Sequence, residues 1–285
     1  MAETDWSPVI SHRQAAALIA ARARALPVLP ISLDLELTKV EVSLNPEGVF
    51  QAGSNLLDWD QVERVAASEN GCFRIVAGIA EEIRVFSEPS RLLLRLLATD
   101  DAPALLLSGF TMHRFKGTSP WRAAREMAGT LGPIRGRALD TATGLGYTAV
   151  ALAEAGAEVT TVEIEPAVAA IARQNPWSRP LFDNPRIERL MEDTSEVIAR
   201  FPDGHFRAVL HDPPSVSLAG DLYSGEFYRG LHRVLAPGGR LFHYIGDPKS
   251  DLGARTTEGV VKRLKEAGFR KVLPKPRAYG VLAIQ

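Results

Sequence analysis

The stretch Arg135-Gly-Arg-Ala-Leu-Asp-Thr-Ala-Thr-Gly-Leu-Gly-Tyr-Thr148 decides the fold. A short apolar run ends in Asp140, a turn carries Gly144 and Gly146, and an alanine-rich helical pattern follows from Thr148 to Ala155. Strand, glycine turn and helix in that order open a nucleotide-binding α/β unit, because glycine lets the backbone approach a ligand closely.

Asp140 narrows the ligand. A dinucleotide site aims backbone N–H groups at a pyrophosphate, and a carboxylate at the mouth of the turn would repel it. A ligand with positive charge suits it, and S-adenosylmethionine (SAM) carries both an ammonium and a sulfonium. The third glycine of the dinucleotide fingerprint is also missing, with Thr148-Ala149 there instead. Taken alone, the same residues also describe an ordinary strand-to-helix turn.

The following residues repeat the pattern. Val159-Thr-Thr-Val-Glu163 reads as a second strand ending in an acid, at the ~20-residue offset where a carboxylate meets ribose hydroxyls in a doubly wound sheet. Pro166 suits the first position of the next helix, with Glu163 and Glu165 near its positive end. A third strand over 186–190 leads to Glu192-Asp193, where a carboxylate can accept from an adenine amino group. A fourth over 206–210 delivers His211-Asp-Pro-Pro-Ser215.

Acids at the ends of successive parallel strands, with the tetrapeptide Asp212-Pro-Pro-Ser215 fourth, resemble the class I SAM-dependent methyltransferase superfamily over about residues 118–285. The whole chain resembles a group of predicted, largely archaeal methyltransferases. The stretches Asp221-Leu-Tyr-Ser-Gly-Glu-Phe-Tyr228 and Arg233-Val-Leu-Ala-Pro-Gly-Gly239 are similar to a segment of the spermidine synthases. The resemblance implies an α/β, Rossmann-like seven-stranded sheet. It implies that Asp140, Thr141, Gly144 and Gly146 hold the methionine end of SAM, Glu163 and Ile164 the ribose side, and Asp193 the adenine. Asp212 would then lie where the acceptor meets the sulfonium, with Pro213 and Tyr223 in the same catalytic set.

Composition bounds the rest. The chain has 285 residues, is 46% hydrophobic, and carries a formal charge of −1. That is enough for one large domain or two modest ones, and it gives no bulk attraction to nucleic acid, so any RNA contact needs a local patch. The single cysteine, Cys72, excludes an intrachain disulfide and a cysteine zinc cluster. It stands far from Asp212, which argues against carbon-5 cytosine methylation, a reaction that proceeds through a cysteine adduct. No His/Cys/Asp group has metal-ligand spacing, so no metal is expected. Met1-Ala-Glu-Thr-Asp5 lacks a basic-then-apolar leader and no apolar run reaches the ~18 residues of a membrane span, which points to a cytoplasmic protein.

Ahead of the glycine turn, residues 1–115 read as a small, mostly β domain with an N-terminal helix, and 116–285 as the SAM-binding domain. Ser11 is a candidate cap for a helix running to about Ala25. Its arginines 13, 22 and 24 suit a solvated face or, alternatively, a nucleic-acid contact. Ile31–Leu37 and Lys39–Leu44 alternate with period two, Asn45–Gly48 is a turn, and Trp59–Ala66 is one amphipathic helix. Further strands are expected over 72–76, 82–86, 91–97 and 104–107. This domain would recognise substrate or make dimer contacts. His113, Arg114 and Lys116 form either a surface linker or a contact for a substrate phosphate or carboxylate. A helix over 120–127 follows, capped by Ser119.

After the fourth strand come a helix over 223–235 stopped by Pro237-Gly-Gly239, a strand over 240–245, a helix over 256–267, and two closing strands over 270–273 and 279–284. An inserted antiparallel strand in that last hairpin is what the methyltransferase resemblance predicts.

Methyl transfer needs alignment and exclusion of water more than covalent help. Asp212 and the Pro213 carbonyl can accept from an amine's N–H groups, because Pro-Pro fixes the backbone. Enzymes methylating exocyclic base amines carry a similar tetrapeptide ending in an aromatic, whereas Ser215 stands here, so Tyr223, Phe227, Tyr228 or His211 must supply any stacking ring. The leading reading is methyl transfer to a nitrogen of an RNA base or another amine. The alternative is aminopropyl transfer from decarboxylated SAM to a polyamine held by Asp212, Asp221, Glu226 and Asp247. A non-catalytic SAM-fold module is the third.

Overall fold

A computed structural model describes residues 6–216 and 218–285, with backbone alone at 251 and 252. Met1–Asp5, read above for a leader, lies outside the described residues. The chain forms two compact units: residues up to Trp121 together with Ala167–Arg179, and Arg122–Pro166 together with Pro180–Gln285.

The first unit up to Thr111 is antiparallel β with two helices, and most of the later helix over Pro166–Ala172 joins it. Strands β1 (Val9–Ser11), β2 (Val28–Ile31), β3 (Val40–Leu44), β4 (Gly48–Gln51), β5 (Ser54–Asp58), β6 (Cys72–Val76), β7 (Ile79–Glu82), β8 (Arg84–Ser87), β9 (Leu92–Leu97), β10 (Ala104–Leu107) and β11 (Phe110–Thr111) form three small sheets. Helix α1 (His12–Ala23) starts at Ser11 through a capping box with Gln14, and α2 runs Trp59–Ala66 as the periodicity predicts. The apolar faces of both helices meet the strands around Ile10, Leu18, Val42, Leu57 and Phe73.

Two sequence expectations change here. The alternation over 31–37 does not continue as a strand beyond Ile31. Ser32 and Asp34 turn the chain instead: Ser32 Oγ accepts from the Glu36 N–H at 2.7 Å and Asp34 Oδ1 from the Thr38 N–H at 2.8 Å. Leu35 and Glu36 take positive φ, so alternation marked burial of Leu33 and Leu35 rather than pairing. The strand expected over 82–86 is cut at Ile83, whose N–H donates to Cys72 O and whose carbonyl accepts from Leu96 N. One buried residue thereby passes the chain from one sheet to another.

The second unit is built on strands β12 (Arg137–Asp140), β13 (Glu158–Glu163), β14 (Ile187–Met191), β15 (Phe206–His211), β16 (Leu235–Tyr244), β17 (Lys271–Lys275) and β18 (Gly280–Ile284), in the order β14-β13-β12-β15-β16-β18-β17. The first five are parallel neighbours, and β18 is antiparallel to both β16 and β17. Helices α3 (Pro120–Thr130), α4 (Tyr147–Glu154), α5 (Pro166–Ala172), α6 (Arg179–Asp183), α7 (Thr194–Val197), α8 (Gly225–Val234) and α9 (Asp251–Glu266) complete the chain. The inserted antiparallel strand is the one expected. One face of the sheet buries Val209, Leu241, Val281 and Ala283 against Tyr228 and Leu231 of α8 and Val260 and Leu264 of α9.

The long helix expected over 223–235 is two elements. Ser224 caps α8, accepting from the Phe227 N–H at 3.1 Å, and Gly220–Tyr223 forms a separate 3-10 turn before it. The local N-cap wins over the apolar periodicity that ran through it. Tyr223 and Tyr228 are therefore not on one helix. Likewise β16 begins at Leu235, with an irregularity at Ala236–Gly239 before regular pairing resumes at Arg240.

Candidate active site

Parallel strands bring Asp140, Glu163, Met191 and His211 to one carboxyl edge, since Asp140 pairs across to Thr161 and Leu210, and Glu163 to Met191. Ligands in open α/β sheets bind along this edge.

Asp140 lies in the interior, fully buried. Its Oδ2 accepts from Thr161 Oγ1 at 2.8 Å, and both oxygens lie 3.2 Å from Thr148 Oγ1. Burial pushes its carboxyl up to about 8, against the pull of those hydroxyls, and the nearby charges of Asp212 and Glu163 add to the rise. The carboxylate therefore braces the glycine turn from beneath. Thr148, which broke the dinucleotide fingerprint, is one of its two donors. Sequence spacing alone gave no signal for that threonine pair.

The turn above follows from glycine. Gly144 has φ +53 and Gly146 φ +80. A Cβ on Gly146 would come within 2.5 Å of Leu181, whereas one on Gly144 would meet nothing within 4 Å. Gly144 thus faces open space, and no side chain caps α4 at Gly146. Glu163 Oε2 accepts from the Gly144 N–H and Oε1 from the Glu165 N–H, both at 2.9 Å. Burial raises the Glu163 carboxyl. Each of its oxygens keeps a lone pair for a further donor. Beside it Ile164 is 64% exposed and Met191 49%, an apolar pair at the ends of β13 and β14. Asp193 caps α7, its Oδ1 accepting from Ser195 N and Ser195 Oγ at 2.7 Å.

Asp212 is half-buried as a residue, yet its carboxyl sits deep enough for burial to push it up to about 7. Tyr223 donates to the Pro214 carbonyl at 3.1 Å and feels the charge of Asp212, so the structure brings Tyr223, Asp212 and Pro213 together. Among the described residues nothing donates to the Pro213 carbonyl.

Behind this segment lies a polar chain that sequence reasoning found only in part. His211 Nε2 lies 3.0 Å from the Leu222 carbonyl, which can only accept, so Nε2 carries the proton and Nδ1 accepts from Thr141 Oγ1 at 2.7 Å. The same logic puts the His243 proton on Nδ1, facing the His211 carbonyl at 3.3 Å, while Nε2 accepts from Tyr228 OH at 2.9 Å. Burial pushes His211 down to about 3 and His243 well below its ordinary value. Thr194 Oγ1 ties in Thr141 through its carbonyl at 2.6 Å. His243 is thus an interior histidine, and His211 is no exposed stacking ring.

In the first unit, His113 Nδ1 accepts from the Leu105 N–H at 3.2 Å and burial pushes the ring down to about 4. That is a contact within the fold.

Comparison with known proteins agrees with this geometry. The chain is 43% identical to an uncharacterized protein of Methanocaldococcus jannaschii over 185 residues, 64% of each chain. It is 33% identical to the polyamine aminopropyltransferase of Mycobacterium tuberculosis over 118 residues, 39% of this chain and 22% of that one. The aligned stretch thus spans less than two thirds of either relative. The spermidine synthase of Thermotoga maritima superposes with a TM-score of 0.56 over 70% of both chains at 17% identity, a likeness of fold. Residues 138–239 match the methyltransferase domain family. Residues 138–239 are thus similar to a methyltransferase domain, and they lie in a Rossmann-like sheet of seven strands.

Proposed function

We propose that the protein is a SAM-dependent methyltransferase acting on a nitrogen of an RNA base or another amine. The observation that carries this is the gathering of Asp140, Glu163 and Asp212 at one sheet edge, all raised by burial, with Asp212 and Glu163 each raising Asp140 further. Such a cluster favours a cationic ligand, which offsets the cost of ionising them.

The residues fit SAM. The open space at Gly144 and the uncapped start of α4 offer room and N–H groups for the methionine carboxylate, a group decarboxylated SAM lacks. Glu163 suits the ribose hydroxyls, Ile164 and Met191 the faces of a flat ring, and Asp193 the adenine amine. Asp140 and Thr141 act through the turn they brace. When bound, SAM supplies an electrophilic methyl carried by sulfur. Asp212 and the Pro213 carbonyl orient the acceptor amine, and Asp212, poised near neutrality, takes the proton that the amine releases. Tyr223 holds Pro214 and with it the segment's path. Residues 1–115 would recognise the acceptor or a second copy.

Aminopropyl transfer is the second reading, favoured by the likeness to aminopropyltransferases. Calorimetry with SAM and decarboxylated SAM separates the two: tighter binding of the decarboxylated form reverses the preference. Transfer of a labelled methyl from SAM to total RNA or to a polyamine pool then identifies the acceptor class.

A further inference from the structure

Resting on the methyl-transfer reading, the structure also points to what holds the acceptor. Base-amine methylation needs a ring on which the base stacks, and Ser215 supplies none. The four replacements the sequence offered are all enclosed: His211 and Tyr228 are fully buried, Phe227 is 5% exposed and Tyr223 6%.

Tyr244 is different. It ends β16 half-exposed, and it lies within electrostatic reach of Tyr223, as Asp212 does. His211 pairs with His243, so Tyr244 stands in the next row, alongside Asp212. Strand alternation sends His243 into the α8 side and Tyr244 to the opposite face, shared with Leu210 and Phe242.

That row continues across Gly280 to Lys275. A Cβ on Gly280 would come within 2.2 Å of the His243 carbonyl and 2.7 Å of Phe242 Cζ, so Gly280 itself puts no side chain between Tyr244 and Lys275, and the buried Phe242 ring lies against it. Two strand spacings, ~10 Å, separate them. Because β18 is antiparallel to both neighbours, β17 runs parallel to β16, and Lys275 and Arg277 come out at the same edge as Asp212. Lys249 follows β16 at that edge.

Charge agrees. Residues 249–277 hold nine Lys and Arg against three Asp and Glu, in a chain whose total is −1. Among the described residues Lys249, Lys271 and Lys275 make no ion pair. Asp247, offered above for a polyamine, also accepts from the Lys249 N–H at 2.9 Å. Lysines and a proline on an exposed edge strand also discourage edge pairing, which accounts for Lys271 and Pro274. It does not account for cations at the strand's end or for the adjoining aromatic.

We propose that Tyr244 is the stacking platform for the acceptor base and that Lys275, with Lys249 and Arg277, holds the neighbouring phosphates. The acceptor is then a single-stranded or flipped-out segment of RNA and not a polyamine.

The test uses the full chain, a short fluorescein-labelled mixed-sequence RNA, and anisotropy at about 50 and about 200 mM salt. Lys275→Glu should weaken RNA binding about five-fold or more and lower the salt slope by about one. Tyr244→Ala should weaken it about ten-fold and Tyr244→Phe hardly at all, with SAM affinity by calorimetry unchanged in all three. RNA binding by Tyr244→Ala equal to the parent overturns the proposal. So does failure of the parent to bind RNA at low salt, or preference for anionic phosphatidylserine vesicles or spermidine. If Tyr244→Ala does not fold, Lys275→Glu decides. A parent that binds RNA but not SAM refutes the methyltransferase reading and leaves the surface standing.

Discussion

Thr161 donates its hydroxyl to Asp140 at 2.8 Å, joining β13 to β12 beneath the glycine turn. Asp140 has no solvent to fall back on, so each donor counts. Thr161→Val should cost about 2 kcal/mol, since it leaves a buried carboxyl oxygen short of a partner. A urea unfolding midpoint equal to the parent's would contradict this assignment.

The two turn glycines should behave differently. Gly146→Ala meets both a positive φ and Leu181, and should destabilise the fold by about 2 kcal/mol or more. Gly144→Ala meets only the φ term, about 1 kcal/mol, but fills the open space where the ligand is proposed to sit. Melting curves and SAM calorimetry on the pair should separate them: Gly144→Ala is the variant that loses more binding than stability.

Stability of the free protein should fall as pH rises from about 6.5 to about 8. Asp140 and Asp212, raised to about 8 and about 7, keep protons in the folded state that the unfolded chain has already released. His211 and His243, both lowered, are uncharged in either state above their ordinary range, so they do not contribute to that limb. Below about 6.5 the histidines act the other way, because only the unfolded chain can protonate them. Asp140→Asn should flatten the alkaline limb in melting temperature against pH; an unchanged slope would show that Asp140 ionises freely.

The same carboxyls make ligand binding proton-linked. A cation bound above the turn, nearer Asp212 than the buried Asp140, lowers both, so SAM binding near pH 7 should release protons and tighten as pH rises from about 6 to about 8. Calorimetry in buffers of different ionisation enthalpy reads the number released, and proton uptake would contradict the clustered-acid reading.

Tyr228→Phe deletes the donor to His243 Nε2 and leaves a buried imidazole nitrogen unpaired, which should cost about 1–3 kcal/mol. With His243 loosened, the His211 carbonyl that precedes Asp212 is held less firmly. Methyl transfer to RNA should therefore fall more than SAM affinity; equal losses in both would assign the chain of bonds to stability alone.

The succession of strands along the chain, the glycine turn, the acid at each strand end and the inserted closing strand were legible because each is a local or periodic signal. Trp59–Ala66, Cys72–Val76 and Ala104–Leu107 came out with the bounds that periodicity predicts, since apolar spacing and turn residues agree there. Ile31–Leu37 and the helix through Tyr223 did not, because side-chain bonds from Asp34 and Ser224 overrode the spacing. Only the tertiary structure could decide what each polar side chain faces. It turned Asp140 inward onto two threonines from separate elements, buried the four rings offered for stacking, and left Tyr244 at the edge. Such choices depend on which strands become neighbours and in what register. A sequence fixes that only through the summed packing of the whole sheet, not through any residue's own preference.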